Sequence, residues 1–458
     1  MRRKVAHFPM PHEESFEHAI TTERSEIISV KDGSIRITQF AIECYQYLLS
    51  HTVQRIIRSG RTIGDVAVDN VSDTPSSPQP PNTTQPALTY MSPLLVSPGA
   101  VRPPEGLPDS GVAWHFGDPF PEQRATTQAA AIVDRSHRGV LTVTGPERLT
   151  WLHSLTSQHF TELKDGESTE SLLLDVNGRI EQHFVATELD GTVWIDTEAE
   201  KIDSLLAFLT KMIFWSKVEV NAVPYAVLTL LGPEVPQHDV PAPQLGEAVA
   251  LPDGGLARKL AWPSEHRWDL LVPRDQLTQW WATATDSGIR PVGTWAFEAL
   301  RVAGLRPRIG IDTDDRTIPH EARWIGGTAE HGAVHLNKGC YRGQETVARV
   351  HNLGKPPRHL VLLHLDGSAE ERPETGDPVL ANGRTVGRIG TVVDHFEDGV
   401  IALALVKRSI TTDTPSLPRK TPSPHRSTQI RYPTTTSCRP DVRRWNGCGK
   451  GDALCSAR

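Results

Sequence analysis

The stretch KGCYRGQE, residues 338–345, is the densest group of chemically informative residues in this chain of 458. Its cysteine, Cys340, lies two residues after Lys338 and two before Arg342. The next residues, 345–351, predict a short helix that Gly354 ends. A position just before a helix N-terminus and among cationic side chains favours thiolate over thiol. Cys340 is therefore predicted to be a nucleophile or a metal ligand, and the alternative is a small buried core residue.

The pattern K-G-C-Y-x-G-Q-E resembles the signature of the YgfZ family, folate-binding relatives of the glycine-cleavage T-protein, an aminomethyltransferase. Other segments resemble the same family, namely 134–139 (DRSHRG), 145–147 (GPE), 299–312 (ALRVAGLRPRIGID) and 318–321 (IPHE). The resemblance covers about residues 91–410. It implies a T-protein-like ring of mixed α/β domains with mostly antiparallel sheets and a small C-terminal β-barrel.

The hydrophobic pattern between residues 129 and 410 predicts an α+β protein. Alternating and apolar runs predict strands at 140–144, 180–187 and 225–231, and Asn177-Gly178 predicts a hairpin turn. Apolar residues at helical spacing predict a helix over 202–213. Strands and helices follow one another without a regular β-α-β rhythm or a glycine-rich phosphate loop, which favours mostly antiparallel sheets.

Composition shifts divide the chain into five predicted regions. Proline-rich sequence precedes the patterned middle, and Thr/Ser/Pro/Arg-rich sequence follows it. Only about fifty residues of the expected barrel come before this tail, so the barrel would be truncated. We hypothesise that Met91 is the true start. The regions are 1–90, an extension that is largely disordered; 91–125, a Pro-rich linker and lead-in; 126–355, folate-binding α+β domains; 356–410, a partial β-barrel; and 411–458, a disordered tail.

Charge and cysteine content exclude several classes of protein. The net charge is −7, which gives the whole chain no nucleic-acid-binding character, although residues 411–458 carry nine Lys/Arg against three Asp/Glu. No apolar run approaches the roughly 20 residues of a membrane helix. Five cysteines without a disulfide or zinc spacing predict a reducing cytoplasm and no metal site.

The resemblance implies a folate ligand and a set of residues that bind it. A pterin edge carries an amino group and a ring N–H that one carboxylate can accept together. Glu265, three residues before Trp268, is similar in position to the pterin-binding glutamate of the T-protein; the alternative is an exposed loop acid. Arg301, three residues after Glu298, lies in a family segment and could equally form a surface ion pair. Within the signature, Cys340 and Lys338 are the predicted catalytic residues, and Tyr341, Gln344 and Glu345 the predicted cofactor-binding residues.

Five tryptophans could stack on a pterin or belong to the core: Trp151, Trp194, Trp215, Trp295 and Trp324. A hairpin of the T-protein supplies the acid credited with catalysis, and the corresponding positions here hold Gln182 and His183. Glutamine cannot act as a general base, which argues against aminomethyl transfer. His183, Asp175 or Glu181 could compensate if the alignment shifts by one or two residues.

We therefore expect a tetrahydrofolate-binding protein that supports iron–sulfur cluster assembly or repair in client enzymes through Cys340. A single cysteine cannot hold a stable cluster. The alternatives are a folate-dependent aminomethyltransferase and an RNA-modification accessory protein. Expected partners are the folate and iron–sulfur client or assembly proteins, with no membrane or DNA; the basic tail leaves RNA association open.

Overall fold

A computed structural model of the chain describes residues 90–104, 107, 109–367 and 372–410. The predictions for residues 1–89 and 411–458 lie outside this range. The described residues form three β-sheets and six α-helices. The helices are α1 (Pro119–Gln128), α2 (Arg148–Leu155), α3 (Ile202–Lys211), α4 (Leu277–Asp286), α5 (Thr294–Ala303) and α6 (Gln344–Leu353).

The first sheet is five-stranded and antiparallel, with the order β3-β4-β5-β2-β6. Its strands are β2 (Gly139–Thr144), β3 (Ser168–Leu174), β4 (Ile180–Leu189), β5 (Thr192–Thr197) and β6 (Glu219–Ala222). The β3–β4 turn contains Asn177-Gly178, as the sequence predicts. Helices α2 and α3 bury Leu152, Leu205 and Leu209 in a cluster with the sheet's apolar side chains.

The second sheet has six strands in the order β11-β1-β7-β10-β9-β8. They are β1 (Ala131–Asp134), β7 (Tyr225–Leu231), β8 (Ala248–Ala250), β9 (Leu256–Leu260), β10 (Arg267–Pro273) and β11 (Arg290–Val292). Among the described strands only β1 and β11 pair in parallel. Alternate residues of β7 pack into two different hydrophobic clusters. Leu228 and Leu230 lie in a cluster with residues of α4, and Val227 lies in a cluster with residues of β2 and β4.

Buried ion pairs connect the first two sheets. Arg258 of β9 donates to Asp196 of β5 and, at 3.0 Å, to Asp269 of β10. Arg267 Nη2 lies 2.6 Å from the same Asp269 carboxylate, and Arg138 Nε lies 2.8 Å from Asp196. Each ion has at least one opposite charge in hydrogen-bond contact, which a charge removed from water requires. One member of this network, Arg138, lines the cavity described below.

The third sheet spans residues 358–407 and has the order β12-β15-β14-β13. Its strands are β12 (Arg358–His364), β13 (Pro378–Ala381), β14 (Arg384–His395) and β15 (Gly399–Lys407). Ile401, Leu403 and Leu405 of β15 pack in a cluster with Ala299 and Val302 of α5. The prediction here was a partial, truncated β-barrel. The described strands form an open antiparallel sheet with no pairing between β12 and β13, so no barrel is shown.

The predicted α+β class with mostly antiparallel sheets is confirmed. Residues 91–125, expected to be a linker and lead-in, include side chains buried in the fold: Leu94 is 3% exposed and Val112 is 0% exposed. In the described part of the chain, no helix is long and apolar enough to cross a membrane. The same residues contain no group of three or more His, Cys, Asp or Glu that could hold a metal ion.

Candidate functional site

A polar cavity lies where the first two sheets meet helix α5. Its enclosed interior is small, about 30 Å³, and it opens to solvent on one side. Its walls come from the β1–β2 loop, from β4, from the end of β5, from the segment after β9, and from α5 with the loop that follows it. The lining residues are Asp109, Arg135, His137, Arg138, His183, Glu198, Trp262, Thr294, Phe297, Glu298, Arg301, Pro307 and Arg308.

Ion pairs fix one wall of the cavity. Arg308 donates to both oxygens of Asp109 at 2.7 Å and also contacts Glu198 at 2.7 Å. Arg138 Nη1 reaches Glu198 at 2.5 Å. Burial alone would raise the pKa of Asp109, but Arg308 and His137 hold it well below its ordinary value. The wall therefore presents ionised carboxylates that are already paired with guanidinium groups.

Arg301 lines the cavity, as does His183, which the sequence analysis considered as a substitute for the hairpin acid. Arg301 is buried rather than part of a surface ion pair. It contacts Glu298 at 2.6 Å, Asp312 at 2.7 Å and Thr391 of β14 at 2.6 Å. With the Arg306 carbonyl, these partners engage all five N–H donors of the guanidinium. Arg301 therefore organises the wall and ties the third sheet to it. Its direct binding of a cofactor stays a prediction.

Two buried polar atoms at the cavity have no hydrogen-bond partner among the described residues. They are Nε1 of Trp262 and Nδ1 of His137. His137 contacts Asp109 at 2.8 Å through Nε2, so the ionised carboxylate assigns the proton to Nε2 and leaves Nδ1 as an acceptor. Trp262 offers the opposite polarity, a single N–H donor. A ligand with both an acceptor and a donor would satisfy the two atoms.

Of the guanidinium groups that line the cavity, that of Arg135 has the weakest contact with a carboxylate. Its Nη1 lies 3.9 Å from Asp269 and 3.3 Å from the Thr229 hydroxyl, and its guanidinium carbon lies 4.0 Å from the centre of the Phe297 ring. Burial, followed by repulsion from Arg138 and Arg267, lowers the pKa of Arg135 to about 9. A carbonyl or an anionic group of a ligand would stabilise this cation.

The residues of the signature lie away from the cavity walls. Cys340 is exposed, while Lys338 is 5% exposed. Lys338 Nζ donates to three main-chain carbonyls, those of His153, Thr156 at 2.5 Å and Gln158 at 3.1 Å. Burial lowers the pKa of Lys338 to about 7. Its three N–H donors are thus engaged in anchoring the loop that carries Cys340, and its catalytic role stays a prediction.

A contact between two glycines holds the start of α6 against the β3–β4 hairpin. Gly343 has φ +83° and Gly178 has φ +76°, and a Cβ built on Gly343 would lie 2.8 Å from the Gly178 Cα. Side chains larger than glycine would not fit in this contact. It determines where Cys340 stands relative to the first sheet.

The other predicted residues lie outside the cavity lining. Tyr341 is buried in a cluster with Trp324 and Val347, and burial raises the pKa of its phenol. The Gln344 amide lies 3.5 Å from the Lys338 carbonyl, Glu345 is exposed on α6, and Glu265 is exposed before β10. Their cofactor-binding roles stay predictions, because the structure does not bring them to the cavity.

The five tryptophans considered as pterin stackers do not line the cavity either. Trp151 donates to the Met212 carbonyl, Trp194 packs on Tyr225, Trp215 is 91% exposed and Trp295 stacks on Trp114. Trp324 reaches the site indirectly by stacking on His183.

Several lining residues were missed by sequence reasoning, although their segments had been singled out. Arg135, His137 and Arg138 belong to the DRSHRG stretch at 134–139, and Pro307 and Arg308 to the stretch at 299–312. Both stretches had been used only for resemblance, and no roles were assigned within them. Trp262 and Asp109 had no sequence signal of their own.

The comparison with known proteins gives a family match over part of the chain. Residues 114–238 match the GCVT N-terminal domain family. The matched segment contains the cavity residues from Arg135 to Glu198, whereas Asp109, Trp262, helix α5 and Cys340 lie outside the match.

The curated proteins similar to this chain are distant in sequence. The "Putative transferase At1g60990, chloroplastic" of Arabidopsis thaliana is 24% identical over 66% of this chain and 69% of its own length. An "Aminomethyltransferase" of Nostoc sp. is 25% identical over 58% of this chain and 74% of its own, and the "tRNA-modifying protein YgfZ" of Vibrio atlanticus is 23% identical over 60% and 83%. The predicted similarity to T-proteins and YgfZ is confirmed as a distant sequence similarity.

A solved structure shows a similar fold. Glycine cleavage system aminomethyltransferase T from Bartonella henselae superposes with a TM-score of 0.56 at 20% identity, covering 63% of this chain and 81% of that chain. The similarity concerns the fold alone.

Proposed function

We propose that this chain binds tetrahydrofolate in the cavity and supports iron–sulfur cluster assembly or repair in client enzymes through Cys340. The observation that carries the folate proposal is the pair of unpartnered atoms, Trp262 Nε1 and His137 Nδ1, at a cavity of a T-protein-like fold. Leaving a buried polar atom unsatisfied costs about 1–3 kcal/mol. A bound ligand that pairs with both would recover that free energy.

A reduced pterin has the complementary groups. Its ring carries a carbonyl that accepts a hydrogen bond and N–H groups that donate one. The Trp262 N–H would donate to the carbonyl, and His137 Nδ1 would accept from an N–H. Arg135, with its weak partners, would stabilise the carbonyl or the anionic tail.

Cys340 would act at a separate place, because it is exposed and does not line the cavity. Lys338 holds the loop in place because its Nζ donates hydrogen bonds to three main-chain carbonyls. An exposed thiol on a fixed loop is accessible to a client protein, whereas a thiol inside the cavity would be accessible only to the folate. One cysteine without other ligands suits transient transfer rather than storage of a cluster.

Aminomethyl transfer is the second candidate, favoured by relatives named aminomethyltransferase. Gln182, at the position of a catalytic acid in the T-protein hairpin, donates to Ser204, which argues against it. Turnover of an aminomethylated carrier protein with tetrahydrofolate would establish this activity. A third candidate, an accessory role in RNA modification, rests on one relative's name. RNA binding that disappears on deletion of residues 411–458 would support it.

Calorimetric titration of tetrahydrofolate into the full chain tests the folate proposal and the location together. Trp262→Phe keeps an aromatic ring beside Arg267 and Arg306 but removes the N–H donor, and it should weaken binding about fivefold, as loss of about 1 kcal/mol implies. If the pterin lies in the cavity, Glu265→Gln should leave the affinity unchanged, whereas the predicted role of Glu265 requires a loss of affinity. The reverse pattern would move the pterin to the Glu265 loop, and absence of binding by the folded protein would refute the folate proposal.

Cys340→Ala tests the cellular role. The variant should keep its fold and its tetrahydrofolate affinity, because the side chain is exposed and outside the cavity. It should fail to restore iron–sulfur enzyme activity in cells that lack the protein. Full restoration by Cys340→Ala would show that the thiol is dispensable.

A further inference from the structure

A histidine–carboxylate pair reaches the cavity from neighbouring strands. His183 of β4 lines the cavity, and its Nε2 lies 2.7 Å from Oε2 of Glu170 on β3. In the register of the two strands, His183 is opposite Leu172, so Glu170 occupies the diagonal position on the same face. The two side chains are 11% and 5% exposed. The pair is therefore preformed within a rigid sheet.

The surroundings keep Glu170 ionised. Burial alone would raise its pKa, but the charge of Arg306 and the hydrogen bond from His183 bring the pKa of Glu170 below its ordinary value. Arg306 donates to the carboxylate oxygen Oε1, which leaves Oε2 for the histidine. A carboxylate only accepts hydrogen bonds, so Nε2 of His183 must carry the proton and, in the neutral ring, Nδ1 keeps a lone pair.

Packing fixes the orientation of the ring. Trp324 stacks on His183 with ring centres 4.7 Å apart and an interplanar angle of 13°. The preceding residue, Gln182, points to the other face of the strand, where it donates to Ser204 at 2.8 Å. Of the two residues that replace the acids of the T-protein hairpin, His183 is thus the one at the cavity.

We propose that His183 is the proton-transfer residue of the cavity and that Glu170 is its positioning residue. Nδ1 accepts a proton from an ionisable nitrogen of the bound ligand: the ligand N–H bond breaks, the Nδ1–H bond forms, and the imidazolium charge lies against Glu170. The reverse step returns the proton, so no further reactant is needed. The proposal rests on the proposed tetrahydrofolate binding for the identity of the ligand, and it makes the cavity a site of proton transfer as well as of binding.

The charged groups around the pair come from several elements of the fold. Arg306 from the loop after α5 and Arg267 of β10 act on Glu170. The remaining ionisable groups of the cavity come from the lead-in loop, the β1–β2 loop, the end of β5, and α5 with the loop after it: Asp109, Arg135, His137, Arg138, Glu198, Glu298, Arg301 and Arg308. Glu170 is the carboxylate in hydrogen-bond contact with His183.

Nitrogen-15 NMR of the histidine-labelled full chain tests the pair directly. His183→Gln assigns the His183 signals, and His320→Gln is the matched control, because His320 is not a cavity residue. We expect the ligand-free His183 ring to carry its proton on Nε2, and we expect tetrahydrofolate to shift the Nδ1 signal. In Glu170→Gln, the fraction of the tautomer protonated at Nδ1 should rise, a change that a purely structural role would not produce.

The experiment distinguishes failure of the His183–Glu170 pair from failure of proton transfer and from failure of folate binding. A ligand-free ring protonated on Nδ1 would refute the pair whether or not folate binds. A protein that binds tetrahydrofolate without any shift of the His183 Nδ1 signal would refute proton transfer while leaving the folate proposal intact. A protein that does not bind tetrahydrofolate in calorimetry would refute the folate proposal, and the ligand-free tautomer would still decide whether Glu170 positions the ring.

Discussion

The contact between Gly178 and the start of α6 gives a sharp test of how the signature is held in place. Gly178 and Gly191 are both hairpin glycines with φ +76°. An alanine Cβ at 178 would lie 2.7 Å from Thr346 Cβ and 3.1 Å from the Gly343 carbonyl oxygen, while one at 191 would meet no atom within 4 Å. The two substitutions therefore share the backbone strain and differ in packing.

The expected magnitudes follow from this difference. Placing alanine in the left-handed region costs about 1–2 kcal/mol at either position. Overpacking adds about 1–3 kcal/mol at position 178 alone. The excess for Gly178→Ala over Gly191→Ala should therefore be about 2 kcal/mol, and it should act on the contact between the hairpin and α6.

Hydrogen exchange of the peptide that spans residues 338–353, followed by mass spectrometry, measures this contact. An excess of about 2 kcal/mol corresponds to about 30-fold faster exchange in α6, if opening is local. Gly191→Ala should leave exchange in this peptide at the wild-type rate, since Gly191 lies in the β4–β5 turn. Equal exchange rates in the two variants would refute the idea that the glycine contact holds the signature.

Three further predictions concern buried charges. Asp196→Asn leaves Arg258 and Arg138 without their shared carboxylate and should lower the free energy of unfolding by about 3–5 kcal/mol in urea titrations; a loss below 1 kcal/mol would show that the network is dispensable. Burial and then His351 lower the pKa of His320 to about 4, so the unfolded chain binds more protons between pH 6.5 and 4 and stability falls as the pH falls through that range. His320→Gln should flatten this slope in thermal unfolding, and an unchanged slope would assign it to other groups. Lys338→Met leaves three carbonyls without a donor and should speed hydrogen exchange in the signature loop, whereas wild-type exchange would deny the anchoring role.

Much of the fold could be predicted because it depends on local patterns. The apolar run of β7, the Asn177-Gly178 turn and the helical spacing from Ile202 are each fixed by backbone geometry over a few residues. The partial barrel predicted at 356–410 came from the family resemblance and not from the pattern. Alternating strands at 358–407 indicate antiparallel pairing, but whether the sheet closes depends on which edges meet, and a period of two contains no information about edges.

The candidate site was less accessible to sequence reasoning. The signature around Cys340 drew attention because its charges and glycines are contiguous, and the structure places that cysteine in an exposed loop outside the cavity. The cavity is assembled from residues as distant as Asp109 and Arg308, which meet at 2.7 Å across the fold. No single segment contains enough of these residues to form a motif.

The sequence by itself determined the α+β class, the strand and helix segments, and the relation to T-proteins, because these are properties of short segments read one at a time. Only the tertiary structure decided which charges are satisfied. It showed that Arg301 has no free donor, that Trp262 and His137 each keep one unpaired atom, and that His183 is held by Glu170. The physical reason is that desolvation and hydrogen bonding depend on neighbours in space, and those neighbours come from strands and loops far apart in the chain.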